Sequence, residues 1–168
     1  MVRIGLLSDT HSFLDEKIFH YFSSCDEIWH AGDIGSEEVA DKLEQFRPLR
    51  AVYGNIDGGK LRQRFPLDQF FTIEGVSVYM THIGGYPGRY VKRVSDFIKE
   101  NHPKLYICGH SHILKIMPDP RFDLLHVTPG ACGLEGFHQV KTLVRFAIEA
   151  GDIKQMEVIE LGKRGYAT

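Results

Sequence analysis

The sequence predicts an α/β chain with two facing sheets of mixed strand direction and helices on their outer sides. Three observations carry that expectation. The first third of the chain alternates short apolar runs with helically spaced segments, a β-α-β-α-β opening that argues for a mostly parallel sheet. From residue 69 onward the pattern changes to strands paired around a Glu74-Gly75 turn. The last segments alternate apolar and polar residues on either side of Gly151-Asp152, which marks a terminal antiparallel hairpin. Two facing sheets accommodate a chain that opens with parallel units and closes with antiparallel ones.

Taken in order, "RIGLLSD" (3–9) is a short apolar run and reads as the first strand. "EKIFHYFSSC" (16–25) spaces Ile18, Tyr21, Phe22 and Cys25 helically. "EIWHAGD" (27–33) is the second strand. In "SEEVADKLEQF" (36–46), Ser36 suits an N-cap, two glutamates fall in the first turn, and Val39, Leu43 and Phe46 share one face. "LRAVYGN" (49–55) is the third strand, and "QFFTIEGVSVYMTH" (69–82) is a hairpin. "RYVKRVSDFIKEN" (89–101) is helical, with Val91, Val94 and Ile98 apolar, and "KLYICGH" (104–110) is a strand. Short strand-like runs follow: "ILKIMPD", "DLLHVTPG", and then the two arms of the terminal hairpin.

Composition bounds the function. The chain has 168 residues, 43% of them hydrophobic and 25% charged, which suits one domain over 1–168 with a sizeable core. A net charge of -2 gives no basic excess to hold a nucleic-acid backbone, so nucleic acid is not expected as a stable partner. Three cysteines without a C-x-x-C speak against a disulfide framework or a zinc ribbon and fit a reducing compartment. The opening "MVRIGLLSDTH" is too short an apolar run for a signal peptide. No stretch reaches the roughly 20 apolar residues of a membrane span. The expectation is a soluble, cytoplasmic protein without a membrane partner.

The polar residues at the strand ends carry the chemistry. In open α/β sheets, sites collect at the carboxyl ends of strands. Asp9 and His11 follow the first strand, Asp33 the second, Asn55 the third, His82 the hairpin, and His110 and His112 the next strand. Singly, each has an ordinary structural role: Asp9 as a helix cap, Asp33 and Asn55 as turn residues beside glycine, each histidine as a hydrogen-bonded strand-end residue. Seven residues of metal-ligand type at successive strand ends point instead to a cluster. Imidazole, carboxylate and amide oxygen suit manganese, zinc, iron or nickel. Seven exceed what one tetrahedral ion needs, whereas two ions about 3.5–4 Å apart can share a carboxylate and clamp a phosphoryl group.

The blocks "SDTH" (8–11), "GD" (32–33), "GN" (54–55), "TH" (81–82) and "GHSH" (109–112) resemble, in order, the motifs of calcineurin-like metallophosphoesterases, and the compact YfcE-type phosphodiesterase branch in particular. "TPGACG" (128–133) is similar to that branch's N-P-G-S loop, so the likeness runs from Val2 to about Gly133. The resemblance implies a four-layer α/β/β/α sandwich of two mixed sheets flanked by helices. It implies two divalent metal ions, manganese first, with zinc, iron, nickel or magnesium as alternatives. Asp9, His11 and His112 would hold one; Asn55, His82 and His110 the other; Asp33 would bridge them. The nucleophile would be a metal-bridging hydroxide, with Asn55 and His82 as catalytic ligands, attacking a small phosphate ester, most simply a phosphodiester. The resemblance also implies an alternative of another class, a non-catalytic interaction scaffold like the retromer subunit of the same fold. Loss of a ligand type would favour the scaffold, and all seven are present. The oligomeric state stays open, a homo-oligomer included.

The sequence departs from the family pattern at three places. The asparagine block of many relatives reads G-N-H-[DE], its histidine being the implied proton donor; here it is "GNID" with Ile56, which leaves the general acid unassigned. "GHSHIL" lacks the usual following proline, and Ala131-Cys132 stand where a serine is often found. Cys132 suits packing better than the site. His30, just before Ala31-Gly32-Asp33, is either an orienting group behind a ligand or a packed strand residue. His20, His102, His126 and His138 are read as structural or surface residues. The basic clusters Lys60/Arg62/Arg64 and Arg89/Lys92/Arg93 suit solvated faces better than phosphate contacts.

Overall fold

Two five-stranded sheets face one another in a computed structural model that describes residues 1–165. The first sheet contains β1 (Val2–Leu7), β2 (Glu27–His30), β3 (Leu49–Ala51), β9 (Val140–Glu149) and β10 (Asp152–Lys163), in the order β10-β9-β1-β2-β3. Strands β1, β2 and β3 run parallel, and β9 and β10 join antiparallel to them. The second sheet contains β4 (Asp68–Ile73), β5 (Val76–Thr81), β6 (Leu105–Ile107), β7 (Leu114–Asp119) and β8 (Leu124–Pro129), in the order β4-β5-β6-β8-β7. Its central strands β5, β6 and β8 are parallel and its edges antiparallel. Helices α1 (Lys17–Tyr21), α2 (Glu37–Phe46), α3 (Gly59–Arg64) and α4 (Lys92–Asn101) complete the chain. None of the helices among the described residues is long and apolar enough to cross a membrane.

The period-two alternation of the strands builds the layers. On β1, Ile4 and Leu6 enter the core between the sheets, while Leu7 faces the helices. On β5 and β6, Val78, Met80, Leu105 and Ile107 share the inter-sheet core, while Tyr79 and Tyr106 turn outward to pack on Val94 and Ile98 of α4. Ile18, Val39, Leu43 and Leu61 close the opposite face. Three apolar clusters thus fill the three interfaces of an α/β/β/α sandwich, as expected. Both predicted hairpins form. Their two-residue turns, Glu74-Gly75 and Ala150-Gly151, place both residues at positive φ, the geometry that matches strand twist.

Several elements are shorter than the sequence suggests. The first helix covers only Lys17–Tyr21, and the third strand stops at Ala51 because the chain then leaves the ladder to reach the site. Helix α3 lies where only a basic cluster stands in the sequence. It has no side-chain N-cap and opens on Gly58-Gly59, so the usual start signals are missing; buried Leu61 anchors it.

Candidate metal centre

The loops that carry the seven candidate ligands are laced together by backbone. The N–H groups of Asp9, His11 and Ser12 donate to the carbonyls of Gly32, Asp33 and Ile34, which extends the β1–β2 pairing past the strand ends. Gly109 N–H donates to His82 O, and the N–H groups of Cys132 and Gly133 donate to Ser8 and Asp9 carbonyls. The backbone is bent sharply to aim the side chains. Asp9, His11, Asp33, His110 and His112 all sit at positive φ, between 45° and 71°. Such conformations cost energy outside glycine and gather at functional sites. The glycines of the short motifs make room: a Cβ on Gly54 would collide with Asp33 Oδ1, and one on Gly109 with Ser8 Oγ.

The seven side chains converge in two groups. Asp9, His11 and His112 form one, and Asp33, His82 and His110 the other, each with its donor atoms within 4.8 Å of one another. Asn55 joins the second through Oδ1, 3.1 Å from His82 Nε2 and 3.0 Å from His110 Nδ1. Asp33 Oδ2 lies between the groups, 3.3 Å from His11 Nε2 and 3.1 Å from His82 Nε2. Asp9 Oδ1 lies 3.1 Å from His112 Nε2. Two buried atoms of the first group, Asp9 Oδ1 and His11 Nε2, have no hydrogen-bond partner. A buried carboxylate oxygen and an imidazole nitrogen that face ionisable neighbours without making a hydrogen bond are costly unless something binds them. The mixed nitrogen and oxygen donor set fits a divalent cation.

The imidazoles are oriented from behind. His82 Nδ1 donates to Ala31 O at 2.7 Å, which leaves Nε2 toward Asp33. His138 donates from Nε2 to Gly133 O at 2.9 Å, so its Nδ1 accepts from His112 Nδ1 at 3.3 Å and His112 Nε2 faces Asp9. His11 Nδ1 lies 3.4 Å from Glu135 Oε2. The loop before β9 therefore backs two of the candidate ligands. The sequence reading gave His138 no such place, and no periodicity or strand-end position marks that loop. His30 bonds no candidate ligand and is a fully buried strand residue that braces the loops behind Asp9 and Asp33. Its Nδ1 accepts from Gly32 N–H at 3.1 Å and its Nε2 donates to Thr10 Oγ1 at 3.0 Å, while Thr10 in turn donates to Ile34 O. Burial lowers its pKa to about 4, so the ring is neutral as this chain of bonds requires. Asp57, the last residue of "GNID", is buried and accepts from the N–H groups of Ile34, Gly35 and Gly54, tying the β2 loop to the β3 loop.

Electrostatics follow from this packing. Asp33 and Asp9 push the His11 imidazole up to about 10, against burial. Burial works against ionisation of Asp9 and Asp33, yet the facing histidines hold both carboxyls below the usual carboxylate range. Protons and a cation would compete for the same donors. Cys132 is fully buried with its Sγ toward Ser8 O, and burial pushes its thiol up to about 12: it packs and does not line the site. Most of the basic side chains are spent elsewhere. Lys60 pairs with Glu37, Arg64 with Asp41 and Glu44, Lys92 with Asp96, and Arg93 with Asp68.

Residues 2–159 match the model of the calcineurin-like phosphoesterase superfamily domain. A probable metallophosphoesterase of Methanothermobacter thermautotrophicus is 32% identical over 114 residues, which cover 65% of this chain and 66% of that one. The structure of a novel archaeal phosphodiesterase superposes with a TM-score of 0.77 over 95% of this chain and 100% of its own, at 24% identity. Vps29 of Entamoeba histolytica, complexed with zinc, superposes with a TM-score of 0.70 over 95% of this chain and 99% of its own, at 14% identity. Both structural likenesses are likenesses of fold.

Proposed function

The chain belongs to the calcineurin-like phosphoesterase superfamily, and we propose that it hydrolyses phosphodiesters with two divalent cations held at the ends of its two sheets. Family and donor groups together support metal-dependent phosphoester hydrolysis. The finer reading rests on one observation: Asp33 Oδ2 stands between two complete donor groups. Asp9, His11 and His112 would hold one cation, Asn55, His82 and His110 the other, and Asp33 both. Manganese is the first choice, with zinc, iron, nickel or magnesium acceptable to the same donors. When bound, such a pair supplies Lewis acidity, lowering the pKa of water and neutralising charge on the phosphoryl oxygens.

The protein's own contribution is placement. Ala31 O and His138 fix which nitrogen of His82 and His112 faces inward. Ile56 N–H donates to Asp33 Oδ1 at 3.1 Å and leaves Oδ2 free toward both groups. A small phosphate ester would lie over this edge, its phosphorus facing Asp33. The complete donor set favours hydrolysis over a scaffold role, since a scaffold has no use for buried donors held together without hydrogen bonds. The test is turnover of bis(p-nitrophenyl) phosphate and p-nitrophenyl phosphate by metal-stripped protein before and after addition of Mn²⁺. Turnover should require the cation and favour the diester. Turnover that survives stripping would contradict the metal-dependent reading, and preference for the monoester would contradict the diester assignment.

A further inference from the structure

Beside His110 a cavity of about 340 Å³ opens onto the candidate metal centre. It is bounded by Ile83, Tyr86, Val91 and Ile113, with Cys108, His126 and Thr128 among its lining and Lys115 at its side. That volume lies in the range of small-molecule sites. The walls are unusual for a surface. Ile113 is 61% exposed, Ile83 41% and Tyr86 39%, so apolar side chains stand in solvent around one opening. Contiguous exposed apolar surface of this kind marks binding. The polar groups underneath carry no charge: His126 Nε2 bonds Thr128, Thr128 bonds the Cys108 thiol, His126 Nδ1 has no hydrogen-bond partner, and burial lowers the His126 pKa to about 4. The one charge is Lys115, whose Nζ lies 3.9 Å from the Tyr86 ring centroid and has no carboxylate partner among the described residues. A second groove lies on the other side of Ile83 and Val91. It carries Arg62, Arg93, Asn55 and Leu67, and is the more cationic of the two.

Building on the phosphoester reading, we propose that the cavity beside His110 seats a planar aromatic ester group of the substrate, of aryl or nucleobase size. Three observations select that chemistry. His110 lines the cavity and belongs to the same donor group as Asp33, so the cavity adjoins the place proposed for the phosphoryl group. The apolar walls reward a flat ring more than a methyl, and a polyol least. The ammonium, without a carboxylate partner, favours the electron-rich face of a ring and repels a cationic headgroup.

The test uses binding, not turnover. Phenylphosphonate and methylphosphonate are titrated calorimetrically into Mn²⁺-loaded protein, wild type and variants. Wild type should bind the phenyl compound about tenfold more tightly or better, as expected for burying a ring in an apolar pocket. Ile113→Ser and Tyr86→Ala alter residues that line this cavity and not the cationic groove, and both side chains are exposed, so the fold is spared. Each should cut the phenyl preference to about threefold or less and leave methylphosphonate binding unchanged. Leu67→Ser, in the cationic groove, should leave the preference intact. Equal binding of the two probes by wild type, an undiminished preference in Ile113→Ser and Tyr86→Ala, or a collapse confined to Leu67→Ser would overturn the assignment. A preserved phenyl preference in a protein that turns over no ester would remove the hydrolytic reading and leave the aromatic cavity standing.

Discussion

Ile56 holds the place where the resemblance to calcineurin-like phosphoesterases implies a histidine. Its backbone N–H serves Asp33, while its side chain, 45% exposed, can neither give nor take a proton. A positioned proton donor is typically worth about 10²–10⁴-fold for a poor leaving group. The rate of ester cleavage should therefore fall steeply as leaving-group pKa rises, and Ile56→His should help poor leaving groups more than good ones. A leaving-group series on both proteins checks this. A flat dependence in wild type would mean that another group delivers the proton. His138 is a poor suspect, since Gly133 O and His112 already engage both its nitrogens.

At the scale of elements, loops laced to loops make the site, and Asp57 is the clearest fastener. One carboxylate accepts three N–H groups from the β2 and β3 loops, in a position only 3% exposed. Asp57→Ala leaves those donors unpaired, at a cost of about 1–3 kcal/mol for each buried group. We expect a loss of at least about 2 kcal/mol in urea unfolding and a roughly tenfold or greater fall in Mn²⁺ affinity, because Asp33 sits on the loosened loop. Unchanged affinity by calorimetric titration would show that the loop keeps its shape without Asp57. The ligand-bearing loops were legible in the sequence because each follows an apolar run and carries a short polar motif. The fasteners were not. Asp57 reads as a turn aspartate, and His138 and Glu135 lie in an irregular loop whose meeting with His112 and His11 is purely tertiary. Layer order was legible through strand alternation and the switch from parallel to antiparallel units, whereas α3 lacked both cap and pattern.

On the scale of the whole molecule, the centre draws on both sheets: Asp9, His11, Asp33 and Asn55 follow strands of one, His82, His110 and His112 follow strands of the other. A cation there ties the sheets together, and binding confined to the folded state raises stability by about 2.7 kcal/mol at a free concentration 100 times Kd. Stability also carries a pH signature from outside the centre. His126 is fully buried between Tyr106 and Thr128; burial, then nearby Lys115, lower its pKa to about 4 against the opposing pull of Asp119. The unfolded chain takes up that proton near pH 6.5, so the contribution is whole above 6.5 and is lost as pH falls from there through about 4. It amounts to about 3 kcal/mol. In metal-free protein, wild type should lose more unfolding free energy than His126→Gln between pH 7 and 4.5, by roughly 2 kcal/mol; equal slopes in urea titrations would contradict it. The number of cations bound is the property on which the proposed chemistry depends. Anomalous X-ray scattering from crystals saturated with Mn²⁺ should show two peaks about 3.5–4 Å apart, one against Asp9, His11 and His112, the other against Asn55, His82 and His110, with Asp33 between. A single peak at saturation, with His82 and His110 turned away from it, would contradict the two-cation centre.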